Sequence, residues 1–362
     1  MADTDYPVNS PLAVKRWASE LMKESLKKTH AQQFMGTDSN SLIQIKTELN
    51  KGPGDRLTFG IRQQLQGAGV SGDNTLEGNE EALITYTQNL TINQLRHAVR
   101  SNGKMSEQRV PFTVRNEARD GLADWWSDRW DAWFFNQITG NTQVTDEKYF
   151  GFNTLNAPDS GHMILGNIGP AVSSGIVALA EASLSATSTA RFHLGLIDRA
   201  RERAALAVNT FRPIMVDGQK RYVAFLHPYQ VTSLRQSVAS TQWSDIQLAA
   251  LSARNESDNP LYSGALGIYN DTVLHVSTRI PLVVGATAGT LNVARAAFCG
   301  AQAACMGFGQ GYGKSSMDWN EELFDYKNKL GVEAGCIGGI VKTRFNGSDF
   351  AAMTMSTYEV AS

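Results

Sequence analysis

The segment GFGQGYGKSS (307–316) contains the residue types of a nucleotide-binding loop, in which glycine backbones and a lysine surround phosphate groups. Its spacing does not fit either common pattern. A phosphate loop ending in Gly313 and Lys314 needs a glycine where Phe308 stands. The dinucleotide pattern needs a third glycine at Tyr312. Such loops also leave a strand and open a helix, whereas the alanine-rich run before this segment predicts a helix. We interpret the segment as a loop that closes a helix, and we do not predict nucleotide binding.

Other residues capable of catalysis are scattered along the chain. Cys299, Cys305 and Cys336 form no CxxC pair, and their spacing is typical of small buried residues in a reducing compartment. The six histidines form no HExxH or ExxH pair, and there is no GxSxG elbow. His227, which precedes Pro228, is the best single candidate for a functional histidine. Its simpler interpretation is a structural histidine that caps a helix or forms a hydrogen bond. The sequence predicts no catalytic group, no cofactor and no metal site.

The composition excludes several classes of protein. The 362 residues are 42% hydrophobic and 19% charged, which is typical of a folded protein and not of a disordered one. The net charge of −2 predicts no general attraction to nucleic acid or to a membrane surface. The amino terminus lacks the apolar run of a signal peptide, and no apolar segment reaches 18 residues. We therefore expect a protein made in the cytoplasm.

Two elements near the amino terminus should project from the body. Residues 1–50 form an arm, whose helix is predicted to start at Ser10-Pro11 and to carry Trp17 on its apolar side. Residues 55–92 predict a long hairpin with a glycine-rich tip, because apolar residues alternate with polar ones on both sides of the tip. These alternating residues are Leu57, Phe59 and Ile61 on one strand, and Ile84, Tyr86, Leu90 and Ile92 on the other. Either the same chain or another subunit should cover their apolar face.

A long amphipathic helix is predicted over residues 112–138. At 100° per residue, one broad face collects Leu122, Trp125, Trp126, Trp130 and Trp133, which we interpret as core packing. The opposite face collects Glu117, Asp120, Asp124, Asp128 and Asp131, which we interpret as facing solvent or another subunit. Metal binding by these carboxylates is the less favoured alternative, because no histidine or second acidic helix supports it.

The second half of the chain mixes helices and strands. We predict a strand before His227, two helices over 228–238 and 241–254, and strands over 272–278 and 281–285. An alanine-rich helix should follow over 292–307, and the tail should form two strands joined at Asn346-Gly347. The residues alone thus predict an α+β protein with an arm, a hairpin and no catalytic constellation, which favours a structural, assembly-forming protein over an enzyme.

Several segments then carry a resemblance to a known family. In chain order they are TQNLTINQLRHAVRS, YVAFLHPYQVTSLRQ, Trp243, NPLYSGALGIYNDTVLHVS, RAAFCGAQAACMGFG and DWNEELFDYKNKLGVEAGCIGGIVKTRFNGSDF. Over residues 40–356 this ordered set resembles the major capsid proteins of phages related to the N-four podophages. That family is similar to the Hong Kong 97-type capsid fold of tailed phages.

The resemblance implies a domain division and a set of subunit contacts. The implied parts are an N-terminal arm (1–50), an extended hairpin loop (51–110), a peripheral domain (111–190) with spine helix 112–138, an axial domain (191–330) and a return to the peripheral domain (331–362). The implied assembly contacts are Trp17, Leu57, Phe59, Ile61, Arg62, Ile84, Tyr86, Glu117, Asp124 and Asp128. The tip between Leu65 and Leu83 has no lysine, so crosslinking between subunits is not expected.

The function implied by the resemblance is structural. Pentamers and hexamers of the chain would form an icosahedral shell in the virion around double-stranded DNA, which it would contact loosely and without sequence preference. A separate scaffolding protein, a portal protein and decoration proteins would be the partners. Two alternatives remain open at this point: the shell of an encapsulin-like nanocompartment, and a soluble oligomeric enzyme that uses Lys314.

Overall fold

The computed structural model describes most of the chain. The described residues are 29–46, 54–62, 65, 67–82, 85–111, 113–166, 184, 190–207, 211–238, 240–256, 259–284, 292–309 and 317–359. The arm helix predicted near Trp17, and the loop with Lys314, lie outside these residues. The amino-terminal described segment begins with a 3₁₀ turn at His30–Phe34.

Helices and strands alternate irregularly along the described residues. The helices are α1 (Lys104–Gln108), α2 (Val114–Thr139), α3 (Leu194–Leu206), α4 (Pro228–Ser237) and α5 (Ser240–Glu256). The first strands are β1 (Met35–Gly36), β2 (Ile43–Lys46), β3 (Arg56–Arg62), β4 (Thr85–Thr91), β5 (Asn93–Arg100), β6 (Met163–Leu165), β7 (Ile214–Val216), β8 (Gln219–Leu226) and β9 (Gly267–Tyr269). The later strands are β10 (Thr272–Val276), β11 (Leu282–Val284), β12 (Asn292–Cys299), β13 (Ala304–Phe308), β14 (Met317–Phe324), β15 (Lys329–Lys342), β16 (Arg344–Phe345), β17 (Ser348–Asp349) and β18 (Ala352–Tyr358).

The strands form two large sheets and two small hairpins. The six-stranded sheet has the order β1-β2-β13-β15-β14, and β5 also pairs with β15. The eight-stranded sheet has the order β6-β18-β12-β8-β10-β9, with β11 beside β12 and β7 beside β8. The hairpins are β3–β4 and β16–β17. Since both sheets mix parallel and antiparallel pairs, the predicted α+β class is confirmed.

The long helix α2 is the centre of the larger core. Its buried tryptophans share one hydrophobic cluster with β13 and β15 of the six-stranded sheet. The same cluster also covers one face of the eight-stranded sheet, to which Val223 and Phe225 of β8 contribute their side chains. Alternate residues of that strand, such as Ala224, point to a second cluster with α3, α4 and α5. Layers therefore follow in the order six-stranded sheet, α2, eight-stranded sheet, outer helices.

The prediction for the long helix is confirmed. α2 begins within two residues of the predicted start and ends at Thr139, where Gly140 takes a left-handed conformation with φ of 60°. Trp126, Trp130 and Trp133 are buried, as expected of a core-facing stripe, and Trp125 is half-buried. The tryptophans therefore serve packing between the two sheets.

The predicted alanine-rich helix over 292–307 is wrong. The structure has two strands there, β12 and β13, joined by a turn. β12 pairs with β8 on one side and with β18 on the other, and both of its faces are covered by the two clusters. A strand that is buried on both faces shows a continuous apolar run, without the alternation of a half-exposed strand. Small alanines fit this layer, which is why the run imitates a helix.

The glycine-rich segment consequently lies between two strands and does not close a helix. β13 and β14 both pair with the same edge of β15, since Phe308 lies opposite Gly338 and Met317 lies opposite Cys336. β13 and β14 therefore follow one another along the same edge of β15. A Cβ at Gly309 would come within 2.6 Å of Ile337 and 2.9 Å of Ile92, so close packing explains that glycine.

The tail differs from the predicted two-stranded hairpin. Asn346 and Gly347 do form the expected tight turn, with φ of 51° and 78°, but it joins only the short strands β16 and β17. The long strands on either side, β15 and β18, belong to different sheets. The turn therefore passes the chain from one sheet to the other.

Candidate assembly surfaces

The hairpin of β3 and β4 lies on its own chain at its base. Leu57 pairs opposite Leu90, and Phe59 opposite Gln88, so these side chains share one face. Leu57 and Phe59 are half-buried against a cluster of Leu90, Cys305 and Val341. The structure thus resolves the alternative left by the sequence, since the same chain covers this part of the apolar face.

Polar contacts fix the direction of the hairpin. The Gln88 amide donates to the carbonyl oxygen of Lys342 at 2.7 Å and accepts from the backbone N–H of Arg344 at 2.8 Å. The Tyr86 ring meets the Phe345 ring edge to face at 4.8 Å. Asn153 accepts from the N–H of Thr91 at 2.8 Å and donates to three carbonyl oxygens. These contacts tie β4 to β15, β16 and the loop after α2.

The hairpin tip (residues 67–82) is acidic and exposed. Its charged residues are Asp73, Glu77, Glu80 and Glu81, and it contains no lysine or arginine. Glu81 accepts from the N–H of Gly67 at 2.6 Å, and Glu80 accepts from the N–H of Gly78 at 2.7 Å. Asp73 and Glu77 are exposed and have no hydrogen-bond or ion-pair partner among the described residues.

Some predicted contact residues are described only in part or not at all. Ile61 and Arg62 occupy strand positions opposite Tyr86 and Thr85, and nothing further is described of their side chains. Trp17 and Ile84 lie outside the described residues.

Most of the carboxylates predicted on the acidic face of α2 do lie on the outer side of the helix. Glu117, Asp124 and Asp128 are exposed, and Asp128 forms an ion pair with Arg279. Asp120 lies beside Arg119 at 2.8 Å. These carboxylates remain candidates for subunit contact. In the described part of the chain, no group of three or more histidine, cysteine or acidic residues has the geometry of a metal site.

Asp131 departs from that face, so its prediction as a solvent-facing or subunit-facing residue is wrong. It is buried and accepts from the backbone N–H groups of His30 and Ala31, both at 3.0 Å. These groups open the 3₁₀ turn His30–Phe34, so the carboxylate holds the root of the amino-terminal arm to α2. Burial raises the pKa of Asp131 to about 6, against the opposing effect of its two backbone hydrogen bonds.

The remaining candidates for chemistry have structural partners. His227 caps α4, as its simpler interpretation predicted: its Nδ1 accepts from the N–H of Tyr229, and its own N–H donates to Gln230. Burial lowers the pKa of His227, because desolvation disfavours the charged ring. Cys299, Cys305 and Cys336 are free and buried, and burial raises the pKa of each thiol, which leaves them poor nucleophiles.

Sequence reasoning missed a buried charge network beside the β16–β17 turn. Lys342 and Asp349 are each 1% exposed, and the lysine Nζ donates to the Asp349 carboxylate at 2.8 Å. Arg344 approaches the same carboxylate at 3.3 Å and pairs with Asp159 at 3.1 Å. The available signal was the Asn346-Gly347 turn, since a tight hairpin brings the residues on its two sides together.

An exposed apolar stripe on α5 was also missed. Ile246 and Ala250 face the core, whereas Leu248 and Leu251 are 58% and 56% exposed on another side of the helix. Residues three apart in a helix are neighbours on its surface, so these leucines form one patch. Large apolar side chains left in contact with water are typical of a surface that another protein covers.

Comparison with known proteins gives a consistent set of similarities. A family model described as "Phage capsid protein" matches residues 5–361. The chain is 29% identical over 350 residues to the major capsid protein of Pseudomonas phage KPP25, with 91% of this chain and 89% of the relative covered. None of the described helices is long and apolar enough to cross a membrane.

Solved structures show the same similarity in three dimensions. The capsid of Ralstonia phage GP4 matches with a TM-score of 0.82 and 33% identity, over 99% of both chains. The capsid of cyanophage Pam1 matches with a TM-score of 0.70 and 18% identity, over 100% of this chain and 95% of the other. At that lower identity the second match indicates a shared fold.

Proposed function

The chain belongs to the phage capsid protein family, and from this premise we propose that it is the major capsid protein of a tailed bacteriophage. Copies of it would assemble as pentamers and hexamers into the icosahedral shell of the virion, around double-stranded DNA. The observation that carries this proposal is the agreement with the GP4 capsid, which extends over 99% of both chains at 33% identity. The matched structures named above are phage capsids, which favours this function over a nanocompartment shell.

A structural role in place of catalysis is part of the proposal. The residues that sequence reasoning examined for chemistry have packing or capping roles: His227 caps a helix, and the three cysteines are buried. The glycine-rich segment joins two strands, a context that differs from the strand-to-helix turn of a phosphate loop. These observations favour a shell subunit over an enzyme that uses Lys314.

We also carry the domain division into the proposal. Residues 1–50 would be the arm, 51–110 the extended loop, 111–190 and 331–362 the peripheral domain, and 191–330 the axial domain. The packing of α2 on β15 in the larger core supports the peripheral group, and the position of α3, α4 and α5 on the far face of the eight-stranded sheet supports the axial one. β18 departs from this division, because this strand of the return segment pairs with β12 in the eight-stranded sheet. The exposed hairpin tip and the leucine patch of α5 would then contact neighbouring subunits.

The partners proposed from the family are a scaffolding protein, a portal protein and decoration proteins. Packaged DNA would be contacted loosely, because the net charge of −2 supplies little attraction to phosphate. Scaffolding would act during assembly and a portal at one vertex.

Electron microscopy of the purified protein tests the function. The protein is imaged alone and after co-expression with candidate scaffolding proteins from the same genome. Closed, thin-walled particles, or free hexamers and pentamers, are the expected result. Uniform small oligomers under every condition, together with nucleotide binding that Lys314→Ala removes, would overturn the proposal in favour of an enzyme.

A further inference from the structure

A cavity of about 260 Å³ lies between the hairpin and the body of the protein. Phe59 and Gly60 of β3 form its hairpin side. Its inner wall includes the buried side chains of Cys305, Thr343 and Phe350. The cavity is therefore a recess whose inner end reaches buried side chains.

Two cations line this cavity, and no described carboxylate lines it with them. Lys46 is half-buried at the end of β2, and its Nζ lies 5.5 Å from the centre of the Phe59 ring. Arg212 is exposed, and its guanidinium carbon lies 5.8 Å from the centre of the Phe350 ring. Among the residues that the structure describes, no carboxylate lines the cavity and no ion pair is recorded for either cation. The aromatic faces hold the two charges in place but do not neutralise them.

Neutral hydrogen-bonding groups complete the site. The Gln302 amide donates to the Gln44 side-chain oxygen at 3.1 Å, which orders two amides on the cavity wall. The Thr343 hydroxyl lies 3.7 Å from the Cys305 sulfur, deeper in the recess. Two positive charges, amides and a hydroxyl around a small recess suit a single carboxylate, which accepts several hydrogen bonds at once.

We propose that this cavity binds a carboxylate side chain from the hairpin tip of a second copy of the chain, Asp73 or Glu77. This inference rests on the proposed function, since it assigns one subunit contact within the assembly. The charges are complementary: the tip (residues 67–82) has four acidic residues and no basic one, while the cavity has two cations and no acid among its described residues. Complementary charges of this kind fix which surfaces meet and in which register.

The carboxylate must come from another copy in the arrangement that the structure shows. None of residues 67–82 lines the cavity of its own chain, and Asp73 and Glu77 are exposed. Glu80 and Glu81 already accept hydrogen bonds from glycine N–H groups within the tip, which leaves Asp73 and Glu77 available. Each copy would then donate one tip and accept another, and such a head-to-tail contact generates a ring when its rotation closes, as a pentamer or hexamer requires.

The recess favours a protein carboxylate over a nucleic-acid phosphate. Duplex phosphates lie on the outside of a stiff cylinder, whereas the inner wall of this cavity is formed by buried side chains and part of that wall is aromatic. A flexible aspartate or glutamate side chain can enter it. DNA binding by Lys46 and Arg212 is therefore the competing outcome of the test.

Charge reversal tests the pairing. The cavity variant Lys46→Glu/Arg212→Glu and the tip variant Asp73→Lys/Glu77→Lys are each expected to lower the yield of sedimenting particles by about tenfold or more, because each places like charges together. The chain that carries all four substitutions should regain particles. The control Lys104→Glu/Lys220→Glu reverses two exposed cations elsewhere and should leave the yield unchanged.

The outcomes separate this contact from the function itself. Particles from the wild-type chain together with full assembly by both reversed variants would overturn the contact and leave the function standing. If the cavity variant loses particles, the fourfold variant does not regain them and the cavity variant also binds a duplex oligonucleotide more weakly, the cavity would be assigned to phosphate.

If circular dichroism shows that a charge-reversed variant is unfolded, neutral variants replace the charge-reversed ones. These are Lys46→Gln/Arg212→Gln for the cavity and Asp73→Asn/Glu77→Gln for the tip. Each neutralised variant should then assemble less, and a double-mutant cycle should show that the two losses are not additive.

Discussion

Lys342 is a cation almost wholly removed from water, and the stability of the protein depends on its ion pair with Asp349. Its Nζ donates to Asp349 at 2.8 Å and to the carbonyl oxygen of Asn156 at 3.0 Å. Breaking a buried pair from one side leaves the other charge poorly compensated, and here Asp349 would keep only the Arg344 contact at 3.3 Å as an ion pair. We expect Lys342→Met to lower the free energy of unfolding by about 3–5 kcal/mol, measured by urea denaturation with tryptophan fluorescence.

A surface pair supplies the control for this prediction. Lys329 lies 3.8 Å from Asp325, and both side chains are substantially exposed. Lys329→Met should therefore change the free energy of unfolding by no more than about 1 kcal/mol. Equal losses in the two variants would show that the Lys342 pair contributes no more than a surface contact.

Asp131 gives the protein a pH dependence with a definite sign. Burial raises the pKa of its carboxyl from 3.8 to about 6, so the folded chain keeps this proton at a pH where the unfolded chain has released it. Stability from this group is therefore greatest at low pH and falls as pH rises from about 4 to about 6. Asp131→Asn cannot ionise, so it should become more stable relative to the wild type across this range, by on the order of 2–3 kcal/mol.

The measurement is urea denaturation of the wild type and the variant at several pH values between 4 and 7. Glu117→Gln is the matched control, because Glu117 is exposed on the same helix and distant from Asp131. Its difference from the wild type should vary much less with pH. Parallel profiles for the wild type and Asp131→Asn would contradict the assignment.

At the scale of elements, the pattern of exposure decided what the sequence could predict. α2 and the β3–β4 hairpin each keep one face toward water or loops, so their 3.6- and 2-residue periods are visible. β12 has both faces covered and therefore no period to read. The acidic stripe of α2 failed at Asp131 for a related reason, because the chain segment that covers it lies 100 residues away.

One of the contacts that fix the hairpin is an amide at its base. Asn153 accepts from the Thr91 N–H and donates to the carbonyl oxygens of Thr91, Gly151 and Ile340, all within 3.0 Å. Asn153→Asp removes the amide donor and places a carboxylate opposite the three carbonyl oxygens. We expect it to lower the free energy of unfolding by about 2–4 kcal/mol and to speed proteolysis near β4.

Limited proteolysis followed by mass spectrometry, alongside urea denaturation, measures both effects. Asn320→Asp makes the same chemical change at an exposed position of β14 and should leave both readouts near the wild-type values. Proteolysis that is unchanged near β4 in Asn153→Asp would mean that the apolar base, and not the amide, holds the hairpin.

At the scale of the whole molecule, the surfaces proposed for assembly could be predicted only in part. The hairpin and the acidic helix face are local patterns, so the sequence could place Leu57 and Phe59 on a hairpin strand and Glu117 on the exposed side of α2, whereas their roles as assembly contacts stay predictions. Lys46 and Arg212 are distant in sequence and meet only because β2 and the start of β7 reach the same recess. Sequence spacing cannot predict a contact between residues that only the tertiary structure brings together.

A closed shell can be built from individually weak contacts, because each subunit makes several at once. The leucine patch of α5 is one surface whose removal should separate folding from assembly. Leu248 and Leu251 are 58% and 56% exposed, so Leu248→Ser/Leu251→Ser should change the free energy of unfolding by no more than about 1 kcal/mol, mostly through helix propensity. If a neighbouring subunit buries them, each truncation removes about 1.5 kcal/mol or more from that contact, and multivalency amplifies the loss over the shell.

The protein concentration at which particles first form should therefore rise by about tenfold or more, as measured by light scattering and sedimentation. Gln242→Ser/Gln247→Ser changes two exposed polar residues of the same helix and controls for helix propensity. Assembly at the wild-type threshold by the leucine variant would remove α5 from the set of contact surfaces. Loss of assembly in both variants would instead indicate that the helix itself had been weakened, so a selective loss in the leucine variant is the result that identifies a subunit contact.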